Sequence, residues 1–214
     1  MSRMLRAWVL APVLLMAACS AQPGVRDNIS AAQASSAGAA STVAPRENFV
    51  NAHAIIIVRH ADIDTRSKSN TTPLLPRGEE RAKELVTALK TAGITRIVTS
   101  SALRTKETAA PLAAELKIVP EDPFSHGAEG AGAAVAAMPE AVTVIRYLSQ
   151  TAKPEQTILL VQHHSVLPSL LGEFGFKGES LMEDATEFDR VYLILPDAGH
   201  QSYQLMRLRY GGKW

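Results

Sequence analysis

Ala54-Ile55-Ile56-Ile57-Val58-Arg59-His60-Ala61 is the stretch from which the rest of the chain can be read. Five consecutive apolar residues, mostly β-branched, describe a strand buried on both faces, and a guanidinium, an imidazole and a small residue follow it at once. Where strands alternate with helices, the ends of such strands are where chemistry is placed. Thr157-Ile158-Leu159-Leu160-Val161-Gln162 repeats the design and ends in His163-His164, before an apolar stretch containing Pro168 that suits a helix opening. A third run, Ile94 to Val98, leads through Thr99-Ser100-Ser101 into a helical pattern from Leu103 to Leu116. Serines at that position are expected to cap the helix, with Arg104 facing an anion held at its N-terminal end. Arg59, Arg104, His60, His163 and a helix N-terminus would together form a phosphate pocket.

These segments resemble the histidine phosphatase superfamily, the clan of phosphoglycerate mutases and many phosphomonoesterases. The resemblance covers roughly residues 53 to 210 and rests on three segments. They are Arg59-His60-Ala61, Leu103-Arg104-Thr105-Lys106-Glu107-Thr108-Ala109 and Val161-Gln162-His163. Relatives often carry proline five places after the second histidine; Pro168 stands five after His163, so His163 rather than His164 takes that role. His164 then fills a place usually small or polar, as a pocket wall or as a packing residue. Glu187-Phe188-Asp189-Arg190 is similar to a Glu-Tyr-Asp segment of bacterial members and favours a small phosphatase over a mutase. The implied fold is a three-layer α/β/α sandwich of the phosphoglycerate mutase type, with a mostly parallel sheet and the pocket at the carboxyl ends of its strands.

Residue chemistry fits that resemblance. A neutral imidazole is nucleophilic near neutral pH, so His60 can attack phosphorus and carry a phosphohistidine that water later cleaves. Arg59 and Arg104 offer forked, permanently charged donors for phosphate, and His163 can donate when protonated. The constellation requires no metal and no cofactor. The leaving alkoxide needs a proton, which relatives commonly draw from an acid after the third strand, here taken as Ile118-Val119-Pro120. Asp122 is favoured for that role, with Glu121 and Glu129 as alternatives. Asp62 is read as a pocket-rim residue or a turn former. For Arg104 alone, a solvated helix face with Glu107 three residues on would be the default. His53, His126 and His200 have no such context and read as surface or loop.

The N-terminus speaks to location. Arg3 and Arg6 precede an apolar stretch from Ala7 to Ala18 that is too short to span a bilayer, which is the pattern of a signal peptide. It ends Leu15-Met16-Ala17-Ala18-Cys19, similar to the bacterial lipobox, so residues 1–18 are expected to be removed and Cys19 lipidated. Ser20 in place of aspartate favours an outer-membrane anchor facing the periplasm. Cys19 is the only cysteine, so no disulfide framework exists. Residues 19–48, rich in Ala, Ser and Gly, read as a flexible tether, and residues 49–214 as one phosphatase domain. The 22 basic and 21 acidic residues give a net charge of +1, which becomes −1 without Arg3 and Arg6. Neither nucleic acid nor a basic membrane-binding surface is suggested.

Helices are expected over Gly78–Ala92, Leu103–Leu116, Ala131–Thr151 and Val166–Phe174, and a closing hairpin over Arg190–Leu195 and Tyr203–Leu208. A Gly- and Ala-rich loop between Pro120 and Met138 would leave the pocket open. The expected function is a metal-independent phosphomonoesterase of the cell envelope. The alternative is a catalytically idle relative that binds a phosphorylated or anionic envelope ligand. Candidate substrates span sugar phosphates, phosphorylated lipopolysaccharide sugars and nucleotides.

Overall fold

Every residue of β1 (Ala54–Arg59) and of β3 (Thr157–Gln162) is buried, as runs of β-branched and aliphatic side chains with no polar face require. The computed structural model describes residues 49–67, 69–125, 139–176, 186–199 and 201–211. Around β1 and β3 stand β2 (Ile94–Thr99), β4 (Arg190–Pro196) and β5 (Tyr203–Arg209), in the sheet order β2-β3-β1-β4-β5. β3 pairs in parallel with both β1 and β2, whereas β4 is antiparallel to both β1 and β5. β5 therefore points the same way as β1, and β4 alone among these strands is reversed. The sheet is mixed, with the largely parallel character expected.

Helices cover both faces. Ile56 and Val58 of β1 pack with α1 (Pro76–Leu89) and α2 (Leu103–Leu116), while Ile55 and Ile57 pack with α3 (Glu140–Thr151) and α4 (Leu167–Glu173). This is the α/β/α sandwich. Burying each such aliphatic side chain contributes about 1.5–3 kcal/mol, so the doubly covered pair β1–β3 anchors everything at its ends. Its register sets Arg59 opposite Gln162, and the His60 amide donates to the Gln162 carbonyl at 2.9 Å. The two histidine-bearing loops thus leave the sheet side by side.

The loop after β1 is fixed by α1. Asp62 is buried and ion-pairs with Arg77 and Arg81 at 2.8 and 2.5 Å, while its carbonyl accepts the Leu75 amide at 2.9 Å. A Cβ on Gly78 would stand 2.3 Å from that carbonyl oxygen, so only glycine lets the helix approach so closely. Asp62 is therefore neither a rim residue nor a simple turn former; it joins loop to helix behind the site.

Three other expectations are corrected. Ile118-Val119-Pro120 forms no strand: only Glu121 makes a single bridge, to Val98. The N-cap of α2 is Ala102, without a side-chain cap. The hydroxyl of Ser100 is engaged elsewhere. The helix expected from Ala131 runs from Glu140, with Pro139 as its N-cap, and residues 131–138 lie outside the described residues. So do the segments 1–18 and 19–48, Cys19, most of the loop after Pro120, Glu129, His126 and His200. Among the described residues, no helix is long and apolar enough to cross a membrane.

Candidate active site

At the carboxyl ends of β1, β2 and β3 lies a cleft of about 470 Å³. Arg59, His60, Arg104, His163, His164 and Glu140 line it, with Ile63, Thr65, Ser67, Asn70 and Ser165 around them. Four residues named from the sequence, Arg59, His60, Arg104 and His163, thus meet in one place.

His60 is buried, and its Nδ1 stands 2.8 Å from the carbonyl oxygen of Ala61. A carbonyl only accepts, so Nδ1 carries the proton and Nε2 is the nitrogen left with a lone pair. Burial pushes the His60 pKa down to about 3 against the opposing Ala61 hydrogen bond, with His163, Arg59 and Arg104 adding to the depression. The ring is neutral at physiological pH. Its amide neighbour is also fixed: the Thr108 hydroxyl accepts the Ala61 N–H at 2.8 Å and donates to the Arg104 carbonyl at 2.7 Å. One side chain thereby ties the end of β1 to the first turn of α2.

Arg59 is held from below. Its guanidinium carbon lies 3.8 Å from the ring centroid of Phe188, and its Nη1 donates to the Glu187 carbonyl at 2.7 Å. Because β4 is reversed, the residues leading into it arrive where β1 ends, which brings Phe188 also within 5.9 Å of His60, between ring centroids. A planar cation on an aromatic face keeps its orientation at little cost.

His163 faces His60 edge-on, with 5.4 Å between ring centroids. Arg104 Nε donates to His163 Nδ1 at 3.3 Å, so His163 Nε2 is the protonated nitrogen and donates to Ser100 Oγ at 2.8 Å. Ser100 Oγ in turn meets Thr105 Oγ1 at 2.9 Å. The serine before α2 thus orients a histidine in place of capping a helix. Burial first, then Arg104, His164 and Arg59, push the His163 pKa down to about 4. At physiological pH it is a neutral donor. Arg104 also donates from Nη1 to the Ser69 carbonyl at 3.0 Å. Glu107 accepts the Leu74 amide at 2.8 Å, so it secures the loop before α1.

The carboxyl group that lines the cleft is not the one favoured from the sequence. Asp122 does not line the cleft: its Oδ2 is 2.9 Å from Lys106 Nζ, and its Oδ1 accepts the amides of Phe124 and Ser125 at 3.0 and 3.2 Å. It organises a turn, because the strand thought to precede it is absent. Glu121 is committed to Arg96 and to the Tyr147 hydroxyl, at 2.6 and 2.5 Å. The carboxyl group in the cleft belongs to Glu140, at the first position of α3. Its Oε1 is 3.9 Å from His163 Nε2 and is buried without a hydrogen-bond partner. Burial raises the Glu140 pKa above the usual carboxylate value, with Arg104 opposing and Asp122 adding. Reading the helix from Ala131 placed Glu140 in a helix interior. Pro139, which disfavours continuation of a preceding helix, was the signal that it begins one.

His164 is exposed on the cleft wall, and burial and Arg59 lower its pKa. Among the described residues no three His, Cys, Asp or Glu side chains are grouped to hold a metal ion.

In a mixed-sheet α/β domain, two histidines and an arginine at strand ends, with a second arginine in the first turn of α2, define a site suited to an anion. The family model of the histidine phosphatase superfamily (branch 1) matches residues 55–125, which contain Arg59, His60 and Arg104. No curated protein matches the chain. Among solved structures it is similar to an Escherichia coli protein proposed to be an α-ribazole-5′-P phosphatase, at 18% identity and a TM-score of 0.56 over 74% of this chain and 97% of that one. It is also similar to mycobacterial glucosyl-3-phosphoglycerate phosphatase with inorganic phosphate, at 14% identity and a TM-score of 0.54 over 72% and 95% of the two chains. The protein histidine phosphatase SixA with tungstate aligns at 18% identity and a TM-score of 0.54 over 73% and 96%. At such identities the likeness is one of fold.

Proposed function

We propose that this protein is a metal-independent phosphomonoesterase acting through a phosphohistidine on His60. The observation that carries this reading is the Nδ1–H bond from His60 to the Ala61 carbonyl, which leaves Nε2 as an unprotonated nucleophile among two guanidinium groups. Nε2 forms a bond to phosphorus as the bond from phosphorus to the ester oxygen breaks, and Glu140 gives its proton to the departing alkoxide. Arg59 and Arg104 neutralise charge on the equatorial oxygens, and His163 joins them when bound phosphate draws a second proton onto its ring. In the second step water adds its oxygen to phosphorus, the N–P bond breaks, and the carboxylate of Glu140 takes the proton from water. The structural neighbours that are phosphatases support the reaction class.

The purified protein should hydrolyse p-nitrophenyl phosphate in the presence of EDTA and accumulate an acid-labile, base-stable phosphoenzyme on quenching. His60→Ala should abolish both. Arg104→Ala should cost about 10²- to 10³-fold in kcat/KM, the effect of one preorganised donor. A folded wild-type protein that binds inorganic phosphate but turns over no phosphomonoester between pH 4 and 8 would instead make this a binding protein.

We also propose that it works in the bacterial cell envelope, anchored through a lipidated Cys19. The support is the apolar stretch Ala7 to Ala18 behind Arg3 and Arg6, ending at the sole cysteine. Metabolic labelling with palmitate should mark the wild type and miss Cys19→Ser; equal labelling of both would remove the anchor.

A further inference from the structure

A second cavity, of about 290 Å³, adjoins the catalytic cleft, and Ile63 and Thr65 line both. Phe188, the ring beneath Arg59, also forms part of its wall, so the cavity opens beside the place where phosphorus would be attacked. Its apolar sides come from Ile63, Leu75 and Phe188, and guanidinium groups from Arg66 and Arg77 stand among the residues that line it.

The charge at Arg77 is only partly compensated. Asp62 is a single buried carboxylate serving two guanidinium groups, Arg77 at 2.8 Å and Arg81 at 2.5 Å. Arg81 is buried with it, whereas the Arg77 side chain is 56% exposed. The surplus positive charge therefore lies on the solvent side, at the cavity. Arg66 is matched by Asp64, which also lines the cavity, through bonds of 2.9 and 2.7 Å. That pair adds donors without adding net charge.

Resting on the phosphomonoesterase reading for the reacting end, we propose that this cavity is a leaving-group subsite selecting phosphomonoesters with a second anionic group, a carboxylate or a phosphate. The ester oxygen departs toward Ile63 and Thr65, an apolar or ring portion lies against Phe188 and Leu75, and the second anion meets Arg77, with Arg66 beside it.

The test compares 4-carboxyphenyl phosphate with 4-carbamoylphenyl phosphate, which are nearly the same shape and differ in charge; 1,4-phenylene bisphosphate supplies a phosphate as the second anion. In the wild type, kcat/KM should favour the carboxylate over the amide by about tenfold, the factor expected of one charge-assisted contact. Arg77→Gln should bring that ratio close to one. Arg66→Gln, whose side chain is almost fully exposed, should lower it without risk to folding. A ratio near one in the wild type, or an unchanged ratio in both variants, overturns the subsite. Preference for the bisphosphate would identify phosphate as the second anion, and preference for the carboxylate ester a carboxylate. If no ester is hydrolysed, the phosphomonoesterase reading fails by itself, and calorimetric binding of the same compounds still decides. Tighter binding of the carboxylate that is lost in Arg77→Gln supports the subsite, and equal binding of carboxylate and amide overturns it.

Discussion

At Glu140 two demands on one carboxyl group conflict. A carboxylate at the first position of a helix is favoured by the helix dipole, yet burial and Asp122 outweigh that here and raise its pKa. A raised pKa means that the native state disfavours the ionised form, so at neutral pH this residue subtracts from stability. Glu140→Gln should therefore melt at a higher temperature than wild type at pH 7 and lose about 10²- to 10⁴-fold in kcat on esters of poor leaving groups. Aryl esters, whose leaving groups need little proton assistance, should be affected far less. Equal losses on both kinds of ester would mean that Glu140 is not the acid. Asp122→Asn, by contrast, should act mainly through the turn at residues 122–125.

Between elements, Thr108 is the joint that matters. Its hydroxyl is the acceptor for the buried Ala61 amide and a donor to α2, so Thr108→Val leaves an N–H without a partner. A loss of about 1–3 kcal/mol in urea unfolding is expected, with a higher KM as Arg104 loses its fixed relation to His60. Thr108→Ser should restore both, and failure to do so would count against the hydroxyl as the cause. Elements of this kind were legible to different degrees. β1 and β3 announce themselves because the middle of a strand covered on both faces is an unbroken aliphatic run, and α2 kept its expected bounds, Leu103–Leu116. The four residues Arg59, His60, Arg104 and His163 could be read because each ends or follows a strand or opens a helix. Glu140 could not, since its place in the cleft depends on how α3 packs across the sheet, a relation with no local pattern. Ile118-Val119-Pro120 misled for the converse reason: an apolar tripeptide has strand composition, but only Glu121 finds a partner.

For the molecule as a whole, two buried neutral histidines govern the response to acid. His60 and His163 have native pKa values of about 3 and about 4, both below the value of about 6.5 for an unfolded chain. Above pH 6.5 neither state takes up these protons and their contribution is intact. Between 6.5 and 3 the unfolded state binds protons that the native state refuses, so stability falls as pH falls through that window. Urea midpoints measured at pH 7, 6, 5 and 4.5 should decline more steeply in the wild type than in His60→Asn. Inorganic phosphate should flatten the decline, because an anion in the cleft favours the imidazolium of His163. The same slope in wild type and variant would show that other groups govern acid unfolding.

The reversed strand β4 carries a further consequence, one of timing. Arg59 emerges early from the ribosome, but the carbonyl it donates to belongs to Glu187, 128 residues later. A nascent chain already holding both histidines, both arginines and Glu140 still lacks the aromatic floor that keeps Arg59 aligned. Catalytic competence is thus deferred until the C-terminal hairpin has been synthesised and has docked, and long-range closure of that kind is slow compared with helix formation. An unfinished or clipped chain would retain Arg59, His60, Arg104 and His163 without the floor that holds Arg59 in place.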